Sequence, residues 1–272
     1  MDYAEIEKLS ALVRGQNLFV DEIKKEISSA IIGQDKLVER MIIAFITGGH
    51  ILLEGLPGLA KTLAVKSFAK CVNADFMRIQ FTPDLLPADL TGTQIYNPRD
   101  LDFFTRKGPV FTNFLLADEI NRAPAKVQSA LLQAMEEKHV TIGGTTFPLP
   151  SPFMVLATEN PIEQEGTYPL PEAQLDRFFM KVLIDYPTAD EEREILRRFN
   201  TISSDSIKQV ISPEHVRERA GLVESIYINE KLLGYIVSVV AETRKPSRKE
   251  LKKYIEYGAS PRASIALMKA SR

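Results

Sequence analysis

An α/β fold, with a parallel sheet covered by helices on both faces, follows from three features of this 272-residue chain. Short apolar runs alternate with stretches of helical periodicity. The first of these runs opens directly into a Gly/Pro loop and a helix, and two later runs end in acidic or amide side chains. Alternation of this kind builds units whose strands lie parallel and whose faces are both covered.

Each element has its own warrant. Residues 21–47 carry Ile23, Ile27 and Ala30, then Leu37, Met41, Ile42 and Phe45, at helical spacing, and Ile32-Gly33-Gln34 divides them into two helices. His50 to Glu54 is too short for a helix and is bounded by Gly49 and Gly55, as a buried parallel strand is. Helical periodicity returns from Lys61 to Cys71 through Leu63, Ala64, Phe68 and Ala69. Further strands are expected at Asp75 to Phe81, Phe114 to Asp118, Phe153 to Thr158 and Phe179 to Ile184. A helix at Ala125 to Glu137 places Val127, Leu131, Leu132 and Met135 on one face. Two stretches break the rhythm. Thr91 to Pro109 reads as a long insertion, and Lys138 to Pro150 as a β-hairpin turning at Gly143-Gly144. After Pro187 the chain becomes charged and helical, with a polar linker at Thr201 to Lys208 and helices around Pro213 to Glu224 and Asn229 to Arg244. The expected division is a core over residues 1–187 and a small helical domain over 188–272.

Composition narrows the function. Lys+Arg total 34 against Asp+Glu 36, a formal charge of -2, so no overall basic field draws the chain to nucleic acid or to an anionic membrane. The single cysteine, Cys71, cannot form an internal disulfide or the multi-thiolate site of a structural zinc, and its apolar periodic surroundings predict a buried, inert thiol. Acidic and polar residues interrupt the amino terminus, and no run reaches the ~18 apolar residues of a membrane span, so a soluble cytoplasmic protein is expected.

The chemistry concentrates at strand ends. Gly55-Leu56-Pro57-Gly58-Leu59-Ala60-Lys61-Thr62 fits the phosphate-binding pattern G-x-x-x-x-G-K-[ST] except that Ala60 replaces the second glycine. In such a loop the backbone N–H groups and the following helix amino terminus cradle an anion, Lys61 reaches the terminal phosphates of ATP and the Thr62 hydroxyl ligates Mg²⁺. Leu63, the next helical residue, completes the expected nucleotide-binding set. The strand ending at Asp118-Glu119 supplies two carboxylates: Asp118 is placed to hold Mg²⁺ through its water shell, and Glu119 to orient and polarise the attacking water. A third strand runs into Glu159-Asn160-Pro161, which sets the Asn160 amide at the sheet edge where ligands of open α/β sheets bind.

The blocks GLPGLAKT, LLADEINRAPAKVQSALLQAMEEKHVTIGG, LATENPIEQEGTYPLPEAQLDRFFMK and GASPRAS, in this order, resemble the signature blocks of the MoxR AAA+ ATPases from about residue 20 to the end. The resemblance implies a five-stranded AAA+ core with a helical lid, and a ring, six-membered in the expected form, that uses ATP to remodel or activate protein complexes. A protein with a von Willebrand A domain is the expected partner. By position it makes Asn160 the first sensor, Arg177 the arginine finger and Arg262 the second sensor, and casts Ile32 and Gly33, with Gln34, as part of the adenine site. Thr91 to Pro109 becomes the helix-2 insert of the clade, and Lys138 to Pro150 the hairpin before the first sensor. A guanidinium suits the two arginine positions because its planar donors match phosphate oxygens and its charge is permanent. Glu159 departs from the family block, which has glutamine there. The chain ends at Arg272, about three turns into the helix begun at Pro261, so the resemblance implies lid helices beyond it.

Two other functions fit the same blocks: a scaffold that changes partners on binding ATP with incidental turnover, and a motor subunit like that of magnesium chelatase or one acting on DNA. The complete set Lys61, Asp118, Glu119 and Arg177 argues against the first. The near-neutral charge argues against a DNA motor.

Overall fold

The three most apolar strands of the chain become the centre of its sheet. The computed structural model describes residues 18–56, 58–160, 166–199 and 206–272. Helices α1 (Leu18–Ala30) and α2 (Asp35–Ile46) lead into β1 (Ile51–Gly55) and α3 (Lys61–Cys71). Strand β2 (Phe76–Gln80) is followed by the short helix α4 (Pro87–Thr91) and by β3 (Gly92–Asn97) and β4 (Asp102–Lys107). Then come β5 (Phe114–Asp118), a 3-10 turn at Ile120–Arg122, α5 (Ala125–Glu137), β6 (His139–Ile142), β7 (Thr145–Pro148) and β8 (Met154–Glu159). The remainder is α6 (Glu172–Leu175), β9 (Met180–Ile184), α7 (Ala189–Arg198), α8 (Pro213–Ser225), α9 (Glu230–Arg244) and α10 (Pro261–Ala270).

Among the described residues the main sheet has five parallel strands in the order β2-β5-β8-β1-β9. Successive side chains of a strand point to opposite faces, and the core divides accordingly. Ile51, Leu53, Phe114, Leu116, Met154 and Leu156 pack on one face with α1, α2 and α3. Leu52, Leu115, Ala117, Val155 and Ala157 pack on the other with α5 and the β6/β7 hairpin. On the first face Phe45, Phe68 and Phe114 meet pairwise with ring centroids 4.8–5.5 Å apart, each pair contributing about 0.5–1.5 kcal/mol beyond the area it buries. Cys71 lies at the end of α3 in this core, and burial pushes its thiol up to about 12, so it stays protonated and inert.

The insertion at Thr91 to Pro109 is an antiparallel hairpin, β3 paired with β4 from Gly92 opposite Lys107 to Asn97 opposite Asp102. The expected hairpin at Lys138 to Pro150 forms as β6 paired with β7. Of the helical segment after β9, Ile211, just before α8, and Val216, in its first turn, join the first-face cluster beside α2. Of the expected linker, residues 201–205 lie outside the described ones. No described helix is long and apolar enough to cross a membrane.

Candidate active site

A cavity of about 420 Å³ opens at the carboxyl ends of β1, β5 and β8, lined by Gly55 and Gly58 to Leu63, by Arg78 and Gln80, by Asp118 and Glu119, and by Thr158 and Asn160, while Leu56 packs against the core instead. The loop is shaped by small residues. A Cβ on Gly55 would stand 2.8 Å from the Ile184 carbonyl oxygen, so only glycine lets β1 run this close to β9. Gly58 and Ala60 both have left-handed backbones, with φ of 85° and 57°. Alanine therefore adopts at position 60 the conformation for which the pattern ordinarily uses glycine. Pro57 lies outside the described residues. Helix α3 begins at Lys61, and its first-turn N–H groups, which have no partner within the helix, face this end. Lys61 Nζ donates to the Gly55 carbonyl at 2.5 Å. Burial lowers the pKa of its ammonium, and the charges of Asp118 and Glu119 oppose that shift.

The two carboxylates are held by a network around Thr158. Its hydroxyl donates to Asp118 Oδ1 at 2.6 Å and accepts from the Glu119 backbone N–H at 2.8 Å. Arg78 donates to Asp118 Oδ2 through Nε and Nη2, at 2.9 and 2.6 Å. Gln80 Nε2 donates to Glu119 Oε2 at 2.8 Å, and Arg122 Nη1 to the same oxygen at 3.1 Å. Glu119 itself has a left-handed backbone, φ 55°, which turns the chain out of β5 into the 3-10 turn. Arg122 and Thr158 lie inside two of the family-like blocks, whereas Arg78 and Gln80 lie outside all of them. Arg78 and Gln80 do leave a trace: two residues apart near the end of β2, they point to one face of that edge strand, in register with Leu116 and Asp118.

The donor set suits Mg²⁺. Thr62 and Asp118 share the cavity and offer hard oxygen donors, and no cluster of three or more His, Cys, Asp or Glu forms a ready cage among the described residues. Magnesium is commonly held by one or two such groups together with waters and substrate phosphates.

Asn160 is buried in the wall of the same cavity, just past β8. Glu159, the departure from the family block, lies in register with Glu54 of β1. Burial raises its carboxyl pKa, the Glu54 charge adds to the rise, and Lys181 opposes it. Ile32 and Gly33 do not line the phosphate-loop cavity; Gly33 packs on Glu191 of α7, and Gln34 Nε2 donates to the Asp185 carbonyl at 3.3 Å.

Arg177 and Arg262 lie elsewhere, and together. With His50, which precedes β1, and Glu136 they border a second cavity at the amino edge of the sheet. It continues into a space of about 910 Å³ between the Thr47 to His50 turn, α6, the start of β9 and α10. Although larger, this space has no phosphate loop and no Asp-Glu pair, so the smaller one is the candidate active site. Arg177 Nη1 meets Glu136 Oε2 at 2.7 Å and donates to the Leu132 carbonyl at 3.2 Å. Arg262 Nη2 meets Glu136 Oε1 at 2.6 Å, and its Nη1 stands 3.9 Å from Asp176.

A family model described as "ATPase family associated with various cellular activities (AAA)" matches residues 50–180. The chain is 52% identical over 250 residues to "Chaperone MoxR1" of Mycobacterium tuberculosis (strain ATCC 25618 / H37Rv), covering 91% of itself and 66% of that protein. It is 45% identical to the uncharacterized protein YeaC of Bacillus subtilis (strain 168), again over 91% of itself and over 76% of YeaC. The crystal structure of a candidate ATPase from Cytophaga hutchinsonii superposes with a TM-score of 0.86 at 49% identity, covering 98% of this chain and 81% of that one.

Proposed function

From membership in the MoxR family of AAA+ ATPases, to which the chain belongs, we propose that it binds ATP with Mg²⁺ in the cavity at the carboxyl edge and hydrolyses it to remodel protein partners. The observation that supports this best is the meeting of Lys61, Asp118 and Glu119 in one cavity around a left-handed loop and a helix amino terminus. Lys61 and the first-turn N–H groups of α3 bind the phosphates. Thr62 and Asp118 would hold Mg²⁺, which neutralises charge on the phosphate oxygens when bound. Asn160 contacts the terminal phosphate or the water beside it. Glu119 orients that water and takes its proton, for which its carboxylate must leave Gln80 and Arg122.

The arginines support a ring. Strand β1, running from Ile51 to Gly55, separates the Arg177/Arg262 pair from the phosphate loop by about 17 Å. That separation supports action of Arg177, and of Arg262 with it, on the nucleotide of a neighbouring subunit, in a ring expected to hold six chains. The protein partner expected from the family blocks is one with a von Willebrand A domain, and a Glu119→Gln chain, holding ATP, is the form to capture it with. The residue roles separate in a paired experiment. Lys61→Ala abolishes ATP binding, whereas Glu119→Gln binds ATP and stops turnover, because the first removes the cation that holds the phosphates and the second only the base. Equal loss of binding in both variants overturns the assignment, and turnover surviving in Glu119→Gln favours the nucleotide-gated scaffold.

A further inference from the structure

The two arginines that this reading assigns to the neighbouring subunit share one carboxylate. Each oxygen of Glu136 takes one of them, Oε2 with Arg177 at 2.7 Å and Oε1 with Arg262 at 2.6 Å. Two permanent cations brought this close repel each other, and the carboxylate between them removes the repulsion while fixing where each guanidinium plane lies. The surroundings reinforce the arrangement. Arg177 also donates to the Leu132 carbonyl one turn back on the same helix, and Asp176, 3.9 Å from Arg262, is itself fixed by two contacts from Ser260 Oγ at 2.7 and 2.8 Å. All three members of the cluster remain between one third and one half exposed, so they are ordered and still presented at the surface.

We propose that Glu136 is a positioning residue for the neighbour's hydrolysis: it sets Arg177 and Arg262 as a pair so that both reach the adjoining subunit's nucleotide. This inference rests on the trans reading of the arginines. Helix α5 gives it a further consequence, because the segment that carries Glu136 at its end begins just after Asp118 and Glu119, at the 3-10 turn Ile120–Arg122. One continuous segment, the turn followed by α5, thus joins a subunit's own carboxylate pair to the arginines it offers next door.

The test is steady-state ATP hydrolysis by the full chain at concentrations where rings assemble. A half-exposed ion pair contributes little to folding, so Glu136→Gln keeps its melting temperature. Misplacement of a reacting group by about 1 Å costs on the order of 10²-fold, so kcat is expected to fall roughly 10- to 100-fold with the KM for ATP unchanged. Glu136→Asp, which keeps the charge, retains part of the rate, and Glu137→Gln, beside it on the helix, leaves the rate alone. Mixing Glu136→Gln with Glu119→Gln restores activity, since the first supplies an intact base and the second an intact arginine pair. A rate for Glu136→Gln within about twofold of the unaltered chain overturns the proposal. So does a loss that mixing fails to rescue when an Arg177→Ala and Glu119→Gln mixture is rescued, for Glu136 then acts within its own subunit. If neither mixture recovers, the trans reading has failed and the proposal falls with it.

Discussion

Arg78 grips Asp118 with two nitrogens, Nε at 2.9 Å and Nη2 at 2.6 Å, both on Oδ2. The carboxylate expected to serve Mg²⁺ is thus already neutralised by a cation from the edge strand. We predict that Arg78→Gln lowers the Mg²⁺ concentration needed for half-maximal ATP binding by roughly two- to fivefold, the worth of one partly exposed ion pair. Titrating Mg²⁺ against a fluorescent ATP analogue measures it. A higher Mg²⁺ requirement in the variant would mean that Arg78 orients Asp118 for the metal instead of competing with it.

Ala60 carries a left-handed backbone, φ 57° and ψ 20°, at the entrance of α3. That region costs a residue with a Cβ roughly 1–2 kcal/mol, and glycine gives back part of the gain through its freer unfolded chain, about 0.4–1 kcal/mol. Ala60→Gly is therefore predicted to stabilise the chain by about 0.5–1 kcal/mol without weakening ATP binding. Chemical denaturation with and without nucleotide reads both quantities. Destabilisation by the glycine would show that the loop relaxes around alanine.

How much of this was legible follows from where each signal lives. Asp118 and Glu119 stand at the end of one short apolar run and Lys61 follows another across the Gly/Pro loop, and short apolar runs bounded by turn residues suit buried parallel strands, so their meeting at one sheet edge followed from local pattern. Arg78 and Gln80 sit on β2, an edge strand whose residues are mostly exposed or half-buried, where polar side chains are ordinary. The β3/β4 hairpin went unread for a different reason. Its turn, Pro98 to Leu101, has no glycine, and the positive φ of 55° falls on Leu101. The pairing of Arg177 with Arg262 depends on α10 lying across a shared cavity from α6 and the start of β9, a long-range fact that no motif spacing encodes.

His50 is buried between β1, α5 and β8, with Nδ1 accepting from the Val155 N–H at 3.0 Å and Nε2 facing the Met135 carbonyl at 3.2 Å. The neutral ring satisfies both contacts with Nε2 donating; a protonated ring cannot accept at Nδ1. Burial, the largest cause, lowers its pKa from 6.5 to about 4; the Met135 contact opposes the shift and Lys138 adds to it. The unfolded chain thus takes up a proton near pH 6.5 that the folded chain refuses until about 4. The stability from neutral His50 is full above pH 6.5 and is lost as pH falls toward 4, up to about 3 kcal/mol. His50→Gln keeps a donor and removes the titration, so its stability is predicted to fall less steeply over that window. Parallel pH profiles of the denaturation midpoint for the two chains would assign the acid sensitivity elsewhere.

The sharpest prediction concerns Arg177, whose side chain is bound to Glu136 and the Leu132 carbonyl at the edge of the sheet opposite its own phosphate loop. From there it cannot serve its own nucleotide without dismantling the contacts around α5 and α6. An arginine supplied from a neighbour accelerates phosphoryl transfer by roughly 10³ to 10⁵ and need not aid ground-state binding. Arg177→Ala is therefore expected to bind ATP normally and to hydrolyse it at a rate lowered by that order. Glu119→Gln, alone, is equally slow for the opposite reason. In a mixed ring, an Arg177→Ala subunit next to a Glu119→Gln subunit combines an intact base with an intact finger at one interface in the right order. The rate of the mixture should rise above the weighted sum of the two baselines and peak at an intermediate ratio. A linear dependence on mixing ratio, in samples shown by crosslinking to contain both chains in one ring, would place the arginine's action within its own subunit.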